Sequence, residues 1–200
     1  MSTGELIRRL LPWLLLLSAV AHAQPQAVST GSSASPAAAH TGVWIYVDTA
    51  ASVAEVRRGQ ETLLVLERVA FGRGGVSPLR LRGEDETPLG EFRINRINPQ
   101  SRFHIFLGID YPRMEQIDAA WRRGLIDDEE YRRSLDYGLR HGEFPQDGPL
   151  GGHIGFHGIG RGDPEIHERF HWTEGCIAMT NEQVEKLHGL VDIGTPVVIE

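Results

Sequence analysis

The 200-residue sequence predicts a mainly β domain with a helical insertion and short flanking helices. Three observations carry this. Short runs of β-branched and aromatic residues alternate with period two between Gly- and Pro-containing turns. Two segments of helical composition, Pro112 to Arg140, interrupt them. The chain then returns to brief apolar runs and two short helices before a final Val-Val-Ile strand.

The elements follow in order. Residues 1–23 read as a cleaved export signal: Arg8 and Arg9 precede an apolar run from Leu10 to Val20, and Ala21-His22-Ala23 is a small-x-small cleavage site. A membrane anchor is the weaker alternative, because the run falls short of the ~20 residues a span needs and contains Pro12. Residues 24–40, rich in Ala, Ser, Pro and Gln, form a flexible leader, and the folded domain is residues 41–200. No membrane span is expected once the signal is removed.

Val43 to Val47 is a strand run and Thr62 to Phe71 another, with Gly59-Gln60 as a hairpin turn ahead of the second. Thr87 to Gly90 is a tight turn opening onto the alternating Glu91 to Ile94. Arg102 to Leu107 also alternates and puts Phe103, Ile105 and Leu107 on one face. Asp127 and Glu130 form a capping pair, and Gly124 separates the two helical segments. The insertion, residues 109–150, is a candidate lid beside the site; a plain structural hairpin is the alternative. His153 to His157 reads as a short strand. Asp163-Pro164 starts a two-turn helix, and Thr180 or Asn181 caps a helix from Glu182 to Val191 before the strand Val197 to Ile199.

The formal net charge is −7, and removing residues 1–23 takes away two arginines and one glutamate. An acidic chain lacks the basic footprint that phosphate binding requires, so nucleic acid is not an expected partner. Cys176 is the only cysteine. In an oxidising compartment cysteines usually pair, and this one has no intrachain partner. It is either a reactive thiol or a small buried hydrophobe.

Two chemistries share the stretch HERFHWTEGC. His167-Glu168-x-x-His171 has the spelling of a zinc peptidase helix, with Glu182, Glu185 and His188 the only local third ligands. The helix is short, and a solvated helix face is the preferred account of the two histidines. If His153 to His157 is a strand, its histidines lie about 13 Å apart at ~3.3 Å per residue and cannot share a metal. The thiol needs a base, an orienting group and oxyanion donors. Gly175 permits a sharp turn before Cys176, and His157, followed by Gly158, is the candidate base. A nearby imidazolium would lower the thiol pKa from its free value of about 8.5.

Phe156-His157-Gly158, a gap, and Thr173-Glu174-Gly175-Cys176 followed by Asn181 resemble the signature of the L,D-transpeptidase (YkuD-type) family. Thr87-Pro88-Leu89-Gly90-Glu91-Phe92 resembles its Thr-Pro-x-Gly-x-Phe turn, and Gly194 to Ile199 its closing strand. Glu174 stands where the family usually has His, and Ala178 where it often has Arg; both departures, with Ser101-Arg102-Phe103-His104 and Gly108 to Pro112, resemble the YafK-like branch. The resemblance implies an L,D-transpeptidase-like β-sandwich or barrel, acting without a cofactor in the periplasm or cell envelope on peptidoglycan stem peptides. It implies that Cys176 is the nucleophile and His157 the base, that the Gly158 carbonyl orients the imidazole, and that the Gly175 and Cys176 amides face the oxyanion. Glu174, Thr173, Tyr111 and Arg102 become candidate substrate contacts. The reaction would be thioester-mediated cross-linking or attachment of an envelope protein. Hydrolysis by the same thiol is the alternative; a zinc peptidase and a non-catalytic wall-binding module are further ones.

Overall fold

The computed structural model describes residues 40–200; the signal at 1–23 and the leader, save His40, lie outside the described residues. The described residues form ten strands and four helices. The strands are β1 Val43–Asp48, β2 Val53–Arg58, β3 Glu61–Glu67, β4 Val76–Ser77, β5 Thr87–Pro88, β6 Gly90–Ser101, β7 His104–Ile109, β8 Gly155–Gly158, β9 Ile177–Met179 and β10 Pro196–Ile199. The helices are α1 Met114–Arg122, α2 Asp128–His141, α3 Pro164–Arg169 and α4 Asn181–His188.

Eight strands form one mixed sheet in the order β3-β2-β1-β10-β6-β7-β8-β9, and β4 pairs with β5 apart from it. The pairs β1–β10 and β8–β9 are parallel, and the rest of the large sheet is antiparallel. β6 spans both halves: Gly90 to Arg93 pair with β10, and Ile94 to Ser101 pair with β7. The sheet also closes on itself. Beyond β3 the chain turns at Arg68 (φ 58°), and Ala70 exchanges two 2.8 Å backbone hydrogen bonds with Ala178 of β9 at the opposite edge. This two-residue bridge makes the sheet barrel-like. It also ends the expected strand Thr62 to Phe71 at Glu67, because Arg68 leaves the extended region.

Alternation decides which side chains enter the core. Ile45, Val47, Phe92, Ile94, Leu107, Ile109, Phe156, Ile177, Val197 and Ile199 are all essentially inaccessible. Phe103 departs from the expected face: it lies in the turn before β7 and packs on His157 rather than beside Ile105 and Leu107. The helical insertion forms within two residues of the expected bounds, and Asp127 caps α2 by accepting from Glu130 N at 2.8 Å. α4 packs on β7 and β8 through Val184 and Leu187, three residues apart on one face. Thr180 caps it, with Gln183 completing the reciprocal pair of bonds. Truncating Leu187 to Ala would cost about 2–5 kcal/mol and release the helix that backs the site strands.

Candidate active site

The site is built where β8 and β9 run side by side. Their parallel register sets His157 opposite Ala178 and Phe156 opposite Ile177. Side chains alternate along a strand, so Phe156 and Ile177 point into the core while His157 and Ala178 point the other way. Cys176, two residues before Ala178, returns to the His157 side. Both line a cleft of about 960 Å³ with Trp172, Thr173, Glu174 and His153.

His157 is buried and held on every side. Its Nδ1 donates to the Gly158 carbonyl at 2.7 Å, which leaves Nε2 as the acceptor. Phe103 stacks on the ring at 4.3 Å, and Trp172 meets it edge-on at 5.8 Å. Burial pushes the imidazole pKa below 6.5 and outweighs the Gly158 bond, which acts the other way; His167 and Arg102 add to the lowering. Gly158 has no room for a side chain: a Cβ there would sit 2.5 Å from Asn181 Oδ1 and 2.8 Å from the Phe103 carbonyl. Asn181 closes the loop, accepting from Gly160 N at 2.8 Å and donating to Gly160 O at 2.9 Å.

Cys176 is held by its backbone. Thr173 Oγ1 donates to the Cys176 carbonyl at 2.6 Å and accepts from Gly175 N at 3.1 Å. Gly175 has φ 120°, and a Cβ there would lie 2.5 Å from the Glu86 carbonyl, so glycine is required. The thiol donates to the His153 carbonyl at 3.5 Å, and no hydrogen bond joins it to His157. Burial pushes its pKa up to about 11, against the Gly155 backbone, Arg80 and Arg96. Where the sequence suggests a thiol lowered by an imidazolium, burial here disfavours the charged form of each group.

The other candidates fall in several places. Thr173 is buried and locks the nucleophile turn, and Glu174 is exposed at the cleft wall. Arg102 lines the cleft with its guanidinium over Phe103 at 4.5 Å. Tyr111 is fully buried outside the cleft wall, donating to the Arg80 carbonyl at 3.0 Å. The insertion contributes only Gln146 to the cleft lining. His167 and His171 do not share a solvated helix face. α3 ends at Arg169 because Phe170 is extended (φ −137°, ψ 148°). His167 is buried and accepts from Trp172 Nε1 at 3.3 Å, while His171 accepts from Phe71 N at 3.1 Å. Glu168 is exposed near Arg68. The strand expected from His153 begins only at Gly155, since His153 has φ 57°.

Sequence reasoning assigned nothing to Arg80, and composition offers no signal for it. It is buried beneath the Cys176 turn, donates through Nη2 to the Glu174 carbonyl at 3.4 Å, and leaves Nε and Nη1 without partners. Asn181 was legible only as part of a signature, with no role attached.

A neutral imidazole acceptor beside a thiol suits proton removal coupled to nucleophilic attack. The class is a mainly β protein on one large mixed sheet, with an imidazole on β8 and a thiol at the entry to the parallel neighbour β9. A family model for the L,D-transpeptidase catalytic domain matches residues 42–199, and the chain belongs to that family. Among solved structures it is similar to the helical cell shape determining protein Pgp2 from Campylobacter jejuni, at 18% identity and TM-score 0.54, covering 80% of this chain and 47% of that one. Bd1075 from Bdellovibrio bacteriovorus is similar at 16% identity and TM-score 0.50, covering 81% and 49%. The chain thus spans about half the length of these structures, and the likeness is one of fold. A search of curated protein sequences finds no match.

Proposed function

We propose that the protein is an exported L,D-transpeptidase that uses Cys176 to transfer acyl groups between peptidoglycan stem peptides. The observation that carries this reading is the β8–β9 register, with His157 Nδ1 committed to Gly158 and Nε2 left as the acceptor in a cleft that Cys176 also lines. In the reaction, Cys176 Sγ turns from the His153 carbonyl toward His157 Nε2 and gives up its proton as it attacks the carbonyl of the L-centre of a diamino acid. The carbonyl oxygen becomes an oxyanion. Gly175 N–H is taken by Thr173 Oγ1, so the Cys176 N–H is the first donor to it. Collapse breaks the amide C–N bond, and His157 returns the proton to the departing amine of the terminal D-residue. The remaining thioester is attacked by an amine of a second stem or of an envelope protein, or by water. No step calls for a cofactor.

Purified wild type and Cys176→Ala, given tetrapeptide muropeptides, test this by product mass. Dimers from the wild type alone are expected. Shortened monomers alone would convert the reading to hydrolysis, and equal turnover by the mutant would end it.

A further inference from the structure

The cleft carries a charge opposite to that of the chain. Five arginines line it, Arg73, Arg80, Arg82, Arg96 and Arg102, against Asp85 and Glu174, while the whole sequence has a net charge of −7. Two of the five are neutralised: Arg73 pairs with Asp85 at 2.7 Å and Arg82 with Asp147 at 3.0 Å. Arg80, Arg96 and Arg102 have no carboxylate within ion-pair distance among the described residues.

Their placement is specific to the site. Arg102 lies over Phe103, the ring stacked on His157. Arg96 lies 5.2 Å from the centroid of Phe106, the residue opposite His157 in the β7–β8 ladder, and its Nη2 is 3.2 Å from His153 Nδ1. The two guanidinium groups therefore rest on aromatic neighbours of the base. Buried Arg80, with two unpartnered N–H groups, adds positive charge beneath the nucleophile. Cations kept beside a reacting centre without counterions attract anionic ligands, and a guanidinium fork matches a carboxylate through two parallel hydrogen bonds.

We propose that Arg102 and Arg96 each hold a free carboxylate of the donor peptide beside the scissile carbonyl, so that the protein selects donors with free carboxylates over the same peptides carrying primary amides. This deepens the transpeptidase reading and rests on it for the identity of the donor. An amide keeps the shape of the carboxylate but removes its charge and puts an N–H₂ against an N–H donor. Arg102 is exposed and Arg96 half-buried, so their substitution to Gln leaves the core intact.

The test is fluorescence anisotropy with labelled tetrapeptide stems, fully free or fully amidated, on the Cys176→Ala protein, which binds without turnover. The free peptide is expected to bind at least about tenfold more tightly, with the preference shrinking as salt rises. Adding Arg102→Gln is expected to remove most of the preference, and Arg102→Lys to restore only part of it. Equal binding, a preference for the amidated peptide, no binding of either, or a preference untouched by both Arg102→Gln and Arg96→Gln would each overturn the proposal. A clear preference together with wild-type protein that turns over neither peptide would instead sink the transpeptidase reading and leave this selectivity standing.

Discussion

The two sides of the cleft are held by different physics. On the base side, His157 is fixed by packing: Phe103 stacked on its ring, Trp172 edge-on to it, a carbonyl on Nδ1, and Asn181 pinning the loop beyond Gly158. On the nucleophile side, Cys176 is fixed through its main chain by Thr173 and by the positive φ of Gly175, and its sulfur meets only main-chain groups, the His153 carbonyl and the Gly155 backbone. The base is thus immobilised in the orientation its chemistry needs. The thiol is placed by the main chain that carries it, with no side chain bonded to its sulfur. Losing a side chain on the base side disturbs the ring itself, whereas losing one on the other side disturbs a backbone turn that carries the sulfur.

Substitutions at the two reacting groups separate the sides most sharply. Cys176→Ala is expected to lower stem-peptide turnover by roughly 10³-fold or more, since nothing else in the cleft can form the thioester. His157→Ala is expected to lower it by at least about 10²-fold, the low end for a positioned acid–base, with the thiol still open to slow alkylation. Both are read by product mass, and near-normal activity of the histidine variant would hand the base role to another group. Next, Thr173→Val should lower the unfolding free energy by about 1–3 kcal/mol, because it strands Gly175 N–H and the Cys176 carbonyl. A thermal melt measures this, and an unchanged melt would mean that water replaces the hydroxyl.

The pH dependence is the finest of these comparisons. With the thiol pushed up to about 11 and the imidazole below 6.5, iodoacetamide alkylation of the free protein should be slow at neutral pH and climb steadily on the alkaline side. A plateau already reached by about pH 7 would mean a preformed ion pair instead. The same shifts mark stability. As pH falls below 6.5, the unfolded chain takes up the His157 proton before the folded one, so folding weakens; as pH rises above 9.0, the unfolded chain loses the Cys176 proton first, so folding weakens again. His157→Gln should make the acid side of a melting-temperature profile shallower, with His167, also lowered by burial, keeping part of the slope, and Cys176→Ser should do the same on the alkaline side, where Tyr46 and Tyr111 keep part.

Local pattern made much of this legible. β1, the bounds of α1 and α2, and the caps at Asp127 and Thr180 follow from periodicity and capping chemistry, which act within a few residues. Cys176 and His157 could be singled out because a lone thiol, a Gly-flanked turn and a His-Gly pair are written in neighbouring letters. What stayed hidden depends on distant partners. The burial of Arg80 follows from the turn at Gly175 lying over it. His153 leaves the strand pattern although its sequence alternates, and it carries its carbonyl to the thiol. His167 is buried by a tryptophan five residues on, where helical spacing alone suggests solvent.

The position of β10 has a consequence for how the molecule comes into being. It comes last in chain order among the described strands, yet it sits mid-sheet between β1 and β6, bonded in parallel to the first of them. One edge of β1 is covered by its sequence neighbour β2, while the other waits for residues 196–199, and sequence-distant pairing of this kind is slow to form.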